Sequence, residues 1–346
     1  MARTEVRGRF VWHELLTTDV TAARAFYPKI MGWSPQALGT DSSYTLWMVR
    51  GAPVGGLMAL PEEAKAMGAP PNWLTYIGTP DVDGTVKRAT ELGAKVLKAP
   101  DTVAGAGRFA VLADPQGAVF GVLAPENPSP AGRLFNLGDF SWHELATTDP
   151  ASAFRFYGTL FGWEQTDAMD MGPAGIHQMY GWEGLSKGGM YTKPADVRGP
   201  SYWLPYALVP DVDRAAAQAS ANGAQIVNGP MDVPGGGRIA VLCDLQGAAF
   251  AVHAKAGITA VPRRKPRVAK RTTRKKAARK KALGKTLKKR AGRKQAARKK
   301  ASAKRKPVRR GSRPAVRERA TRKRPARRPR RPKRPARKRP TRRKPR

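Results

Sequence analysis

The chain carries one eight-residue phrase twice, WHELLTTD at 12–19 and WHELATTD at 142–149, and the offset of 130 residues holds far beyond it. Phe26-Tyr27 recurs as Phe156-Tyr157, Gly32-Trp33 as Gly162-Trp163, and Trp73 as Trp203. PDVD at 80–83 recurs at 210–213, Gly93-Ala94 as Gly223-Ala224, and Gly107-Arg108 as Gly237-Arg238. AVLADPQGAVF at 110–120 returns as AVLCDLQGAAF at 240–250. A register kept from end to end marks a duplicated domain, so both copies must fold alike. Only the middle slips: Gly56 pairs with Gly189 at an offset of 133, which implies small compensating insertions. PENPSPAG at 125–132, rich in turn formers, reads as the connection.

Within one copy, the segment 10–17 is β-prone. Asp19 or the Thr before it is a good N-cap. Ala22, Ala23, Phe26, Tyr27 and Ile30 then follow at helical spacing until Gly32 stops the helix. Three short strands follow, around 32–37, 44–49 and 54–60, each bounded by Gly or Pro. The same order then recurs: NWLTYIGT as a strand, PDVDGTVKRATELG as a capped helix ending at Gly93, and three more strands. Each copy is therefore βαβββ–βαβββ, an α+β pattern.

Charge separates a second region from this body. Residues 262–346 hold 45 Lys/Arg and one acid, Glu318, a net +44; the 261 residues before them carry −4. All eight Trp, eight Tyr and ten Phe precede residue 262. A segment with dense like charge and few apolar side chains cannot offset its ordering entropy, so 262–346 is expected to be a disordered basic tail. Its first part, about 271–306, is rich in Ala, Lys and Arg and has helix propensity opposed by self-repulsion. From 307 on, Pro every few residues forbids helix and favours polyproline II. The tail resembles, in composition only, the Lys/Ala/Pro-rich tails of linker histones and bacterial histone-like proteins. Such a tail binds phosphate backbones by counterion release. Duplex DNA, read without sequence preference, is the leading partner; RNA, polyphosphate and no dedicated partner are the alternatives. No aromatics interleave the bases, so stacking on single strands is not expected. A single cysteine, Cys243, excludes an intrachain disulfide and a cysteine-built zinc site. The N-terminus lacks an apolar signal region and no apolar run reaches membrane-spanning length. These features point to a cytoplasmic, nucleoid-associated protein without membrane contact.

The body resembles the vicinal oxygen chelate superfamily, which includes glyoxalase I, bleomycin-resistance proteins and extradiol dioxygenases. The carriers are the strand–Asp–helix start closing on Phe26-Tyr27 and Gly32-Trp33 (Phe156-Tyr157 and Gly162-Trp163), the D-V-D…G-A second helix, and the DPQGAVF hairpin at 114–120 with its variant at 244–250. The W-x-E-L-x-T-x-D opening is similar to a tandem glyoxalase-like subgroup of actinobacteria. The resemblance covers about residues 8–255. It implies two tandem domains, each of paired βαβββ units forming a curved mixed sheet around a concave pocket. The expected boundaries are 8–125 and 138–256, with a linker at 126–137, and the two domains are expected to pair within the chain.

His13-Glu14 and His143-Glu144 invite a metal reading. A zinc-protease helix needs H-E-x-x-H, and here the fifth residue is Thr17 or Thr147, on a strand. The superfamily takes its metal ligands from the first and last strands of each unit. The matching positions here are Trp12 and Trp142, then Gly121 and Ala251; the middle positions near Leu57, Met190, Trp73 and Trp203 also lack ligands. No metal and no cofactor is therefore expected. Strand alternation puts Trp12 and Glu14 on the pocket face and His13 and Leu15 on the other, so His13 and His143 read as hydrogen-bonded core or rim histidines. Glu14 and Glu144 are the candidate catalytic bases, since a carboxylate desolvated beside Trp titrates higher. Trp12, Trp142, Trp73, Trp203, Arg108 and Arg238 are the candidate ligand contacts, with packing as the competing role for Trp73 and Trp203 and an exposed hairpin Arg for the other pair. His177 and His253 have no counterparts in the first copy and read as idiosyncratic. Three functions follow: a small-molecule binding protein without metal, tethered to DNA by its tail; a lyase-type or related enzyme using a pocket Glu; and an architectural DNA protein with the body as scaffold.

Overall fold

The structure is a computed structural model that describes residues 6–39, 43–128 and 135–255. The predicted basic tail and the middle of the predicted linker lie outside the described residues. The first repeat runs β1 (Phe10–Thr17), α1 (Val20–Met31), β2 (Ser34–Ala37), β3 (Thr45–Val49), β4 (Ala52–Ala59), α2 (Glu62–Ala66), β5 (Asn72–Gly78), α3 (Val82–Glu91), β6 (Lys95–Val103), β7 (Gly107–Ala113) and β8 (Val119–Pro125). The second runs β9 (Phe140–Thr147), α4 (Pro150–Phe161), β10 (Glu164–Asp170), β11 (Ile176–Trp182), β12 (Leu185–Thr192), β13 (Tyr202–Leu208), α5 (Val212–Ala221), β14 (Gln225–Val233), β15 (Gly237–Cys243) and β16 (Ala249–Ala254). The doubled βαβββ pattern is present in both copies. The first copy adds the short α2, which stands in the longer of the two β4–β5-type connections.

The helices start and stop where their caps dictate. Asp19 and Asp149 accept hydrogen bonds from the backbone N–H three residues on, and Gly32 and Gly162 end α1 and α4 in the left-handed region, at φ 71° and 78°. Each copy forms one eight-stranded sheet, ordered β2-β3-β4-β1-β5-β8-β7-β6 and β10-β11-β12-β9-β13-β16-β15-β14. Within each βαβββ unit the first and last strands run parallel (β1 with β4, β5 with β8), and antiparallel β1 and β5 join the two units. The sheet curls into a half-barrel with its helices on the convex side.

The convex side holds two large cores, and each draws on both repeats. One packs Phe26, Tyr27, Trp33 and Trp73 of the first copy with Val212, Ala216 and Phe250 of the second. The other packs Val82, Leu112 and Phe120 of the first with Phe156, Tyr157 and Trp203 of the second. Thus α1 lies on α5, and α4 on α3. The duplicated motifs are the fasteners of this exchange. Tyr27 Oη donates to Asp244 Oδ2 at 2.8 Å, and Tyr157 Oη donates to Asp114 Oδ2 at 3.0 Å. Trp33 Nε1 donates to the Gly138 carbonyl and Trp163 Nε1 to the Gly8 carbonyl, both at 2.8 Å. The FY…GW and DPQG motifs therefore hold the two copies together in reciprocal pairs.

Candidate functional site

The concave side of each half-barrel carries a carboxylate. Along β1 the side chains alternate: Trp12 and Leu16 join a small inner cluster with Leu74 and Tyr76, while Leu15 enters the convex core and His13 packs at a tilt against Phe140, 4.2 Å between ring centres. Glu14, between Trp12 and Leu16, points inward. Tyr44 Oη donates to Glu14 Oε1 at 2.7 Å, Tyr76 Oη donates to Oε2 at 3.1 Å, and Trp12 Nε1 donates to Tyr44 Oη at 3.1 Å. Two glycines make this network possible. A Cβ at Gly56, the residue beside Glu14 on β4, would overlap the Tyr44 hydroxyl; one at Gly121 on β8 would overlap the Tyr76 ring. Burial raises the Glu14 pKa, and the two tyrosine hydrogen bonds only partly oppose it. Both tyrosine hydroxyls are in turn pushed well above their ordinary value, by burial first and by the Glu14 charge second.

The second copy rebuilds the site with different members. Glu144 lies inside the recess beside Trp142, Tyr202 and Tyr206. Trp142 Nε1 donates to Glu144 Oε1 at 3.2 Å, and Tyr206 Oη donates to Oε2 at 2.6 Å. His177 brings Nε2 to 3.5 Å from Oε1, and the two side chains are 15% and 13% exposed. Tyr191 meets the His177 ring edge-on at 5.6 Å.

The structure brings Trp12 together with Glu14, and Trp142 with Glu144. It does not bring the other expected contacts to these recesses. Trp73 pairs with Leu15 across β1–β5 and shares its convex face, where Trp73 Nε1 donates to Tyr27 Oη at 3.0 Å; Trp203 does the same to Tyr157 at 2.9 Å. Arg108 and Arg238 also fall on the convex face, because Phe109 and Val111, and Ile239 and Val241, take the inner one. Each arginine is engaged there by a bidentate pair: Arg108 with Asp83 at 2.7 and 2.8 Å, and Arg238 with Asp213 at the same distances. Sequence reasoning missed Tyr44, Tyr76, Tyr206 and His177. The signal for two of them was the shifted offset: at 133, the Gly56–Gly189 pairing makes His177 the counterpart of Tyr44. His253 does lack a counterpart; its Nε2 lies 2.7 Å from Ser141 Oγ on the second sheet, and burial lowers its pKa to about 4.

A further cleft lies on the helix side, lined by Arg7, Thr79, Asp81, Gly84, Arg88 and Leu160. Its acid is committed, because Asp81 caps α3 through the Gly84 N–H. Nothing comparable to the inward carboxylates stands in it.

A family model described as the Glyoxalase/Bleomycin resistance protein/Dioxygenase superfamily matches residues 9–122 and again 140–252. The chain belongs to this superfamily. The CFP32 protein of Mycobacterium tuberculosis, which carries a glyoxylase name, is 34% identical over 254 residues, 72% of this chain and 96% of its own length. The anthracycline biosynthesis protein DauV of a Streptomyces species is 29% identical over 259 residues, 71% of this chain and 92% of its own length. Among solved structures, the Mn(II)-bound glyoxalase of Novosphingobium aromaticivorans superposes with a TM-score of 0.51 at 18% identity, covering 72% of this chain and 82% of that one. An extradiol ring-cleaving dioxygenase from B. fuscum gives 0.53 at 16% identity, covering 74% of each chain. These two share the fold.

The superfamily raises the question of a resident metal. A divalent ion wants three or four N, O or S donors converging. Among the described residues no group of three or more His, Cys, Asp and Glu side chains converges in this way. The inner ends of β1 and β8 present Trp12 and Gly121, and those of β9 and β16 present Trp142 and Ala251. This donor set does not fit a superfamily-type metal centre.

Proposed function

We propose that the body binds small organic molecules in the concave recesses of its two half-barrels, with Glu14 and Glu144 as the polar anchors. The observation that carries this reading is the pair of inward carboxylates at equivalent positions, each beside a tryptophan and tyrosines, with His177 added in the second. Aromatic walls with few polar groups suit flat or apolar ligands. Trp12 and Trp142 are the ligand-contacting indoles; Trp73, Trp203, Arg108 and Arg238 serve packing and ion pairing instead. The same superfamily relationship connects the chain to proteins named for glyoxylase and for anthracycline biosynthesis, which supports an organic ligand without naming it. A thermal-shift screen of carbonyl compounds and flat aromatics tests the reading. Hits should stabilise the native chain and lose their effect when both Glu14→Gln and Glu144→Gln are introduced. Hits insensitive to both substitutions would reject the carboxylate anchors, and a screen without hits would favour a scaffold role for the body.

A lyase-type or related enzyme is the second reading, favoured by the raised pKa of Glu14, which brings a carboxylate toward general-base strength. In that case a screen hit should be turned over, with loss of turnover in Glu14→Gln at unchanged fold. The tail at 262–346 tethers the body to duplex DNA in a nucleoid-associated, cytoplasmic setting, on the strength of its charge. The full chain, and not residues 1–261, should retard duplex DNA in low salt.

A further inference from the structure

The two recesses differ at the position facing the carboxylate, where the second has His177 in place of Tyr44. β3 and β4 pair Leu46 with Gly56, and β11 and β12 pair Met179 with Gly189, so Tyr44 and His177 hold equivalent places two residues before Leu46 and Met179. A Cβ on either glycine would overlap the facing ring, the Tyr44 hydroxyl in one copy and His177 Nε2 in the other. In the first copy the polar chain closes on itself: indole to hydroxyl, hydroxyl to carboxylate, and a second hydroxyl to the other oxygen. In the second copy the indole reaches past this position to Glu144 directly. His177 Nε2 is buried and has no hydrogen-bond partner, although Glu144 Oε1 is 3.5 Å away. A buried nitrogen without a hydrogen bond is costly unless something else meets it.

We propose that the second recess takes a small organic molecule through a protonated amine, held between His177 Nε2 and the Glu144 carboxylate. This rests on the reading of the recesses as ligand sites and adds the ligand's class. In the tautomer with its proton on Nδ1, His177 offers Nε2 as an acceptor beside the acceptor-only Glu144, so a molecule that meets both donates two hydrogens. An ammonium does so; an alcohol has one hydrogen to give, and a carboxylate meets like charge. The walls suit a cation. Tyr191 and Tyr202 stand where the first copy has Met58 and Asn72, beside Trp142 and Tyr206. Aromatic faces around a carboxylate attract ammonium groups. Burial and then the Glu144 charge raise the Tyr191 and Tyr206 hydroxyls, and burial raises that of Tyr202.

The test is calorimetric titration of the full-length chain with benzylamine, benzyl alcohol and benzoate at pH 7.5. Benzylamine should bind at one site per chain, at least tenfold tighter than either control. Glu144→Gln and His177→Tyr should each weaken it tenfold or more. His177→Tyr installs the residue that the first copy already seats over the same glycine, and an unchanged melting curve certifies its fold. Equal binding of the alcohol or the benzoate would overturn the amine inference while leaving the recess as a ligand site. Benzylamine binding that survives both second-copy substitutions, or that saturates at two sites, would overturn it as well. Absence of benzylamine binding would do the same, with the ligand-site reading still to be decided by the thermal-shift screen.

Discussion

His13 and His143 are the same residue of the duplicated sequence, and their Nε2 atoms meet at 2.6 Å in the interior. One ring must donate and the other accept, so two identical positions hold different tautomers. Phe10 stacks on His143 at 3.6 Å, and Phe140 packs at a tilt on His13 at 4.2 Å, which puts the pair close to the axis relating the copies. Burial lowers the pKa of His13 from 6.5 to about 3, and that of His143 also well down, by burial and then by the neighbouring His13. The sign of the pH effect follows. Folded histidines stay neutral while unfolded ones protonate below about pH 6.5, so protons favour the unfolded chain. Stability should therefore fall from pH 6.5 toward 4, by up to about 1.4 kcal/mol per pH unit for each histidine. Replacing both with Gln, which keeps a donor and an acceptor, should flatten that slope in urea titrations at pH 7, 6 and 5; an unchanged slope would refute it. Glu14 works in the opposite direction, because its raised pKa means the native state disfavours its charge. The melting temperature of Glu14→Gln relative to the native chain should therefore be higher at pH 8, where the native carboxylate is charged, than at pH 5. At this scale the sequence told which face each residue takes, since alternation along β1 separates Trp12 and Glu14 from His13. It did not tell that His13 would meet its own duplicate, because periodicity locates faces and not the axis between copies.

The elements owe their arrangement to the cross-repeat contacts. The spacing of Phe26, Tyr27 and Ile30 made α1 legible, together with the Asp19 cap and Gly32 stop. The short α2 was not legible: its N-cap is Pro61, without a side-chain cap, and none of its residues is fully buried. The Gly56–Gly189 shift in offset was visible, but its consequence, a tyrosine in one copy facing the place of a histidine in the other, depended on strand register. The face of Trp73 was open in the sequence because a strand rich in Trp, Leu, Tyr and Ile is apolar on both sides; the pairing with Leu15 decides it. The paired Arg108–Asp83 likewise joins residues 25 apart, a contact made by the α3–β7 packing. The elements also predict where the assembly is weakest. Tyr27→Phe removes the hydroxyl that both satisfies Asp244 Oδ2 and accepts from Trp73 Nε1. Asp244 is 6% exposed, so the loss leaves a buried carboxylate oxygen short of a donor. We expect about 2 kcal/mol of destabilisation in urea unfolding, matched by Tyr157→Phe at Asp114. A change below 0.5 kcal/mol at both would mean that water replaces the hydroxyl.

At the scale of the whole chain, duplication and exchange make the two copies interdependent. The apolar face of α1 is covered by α5 and Phe250 of the other copy, and that of α4 by α3 and Phe120. Residues 1–130 alone would leave these faces bare. Since the two copies are nearly equivalent, a second molecule can supply what the missing one gave, so the isolated first repeat should dimerise, as read by light scattering; a cooperatively melting monomer would contradict this. Among the described residues no helix is long and apolar enough to cross a membrane. The superfamily match ends at residue 252, and CFP32 is 96% covered while more than a quarter of this chain remains outside the match. The basic segment at 262–346 therefore lies outside what the chain shares with CFP32. Its charge of +44 against −4 for the rest makes the expected behaviour quantitative. Engagement of about ten phosphates gives a slope near −9 in log affinity against log salt, so affinity should fall by orders of magnitude between 50 and 200 mM. That slope should be the same for duplexes of unrelated sequence, and shallower on single strands, where counterion release per phosphate is smaller. Because the body is mildly acidic, residues 1–261 should show no such binding, and a salt-insensitive complex, or one formed by 1–261, would move the nucleic-acid site from the tail to the body.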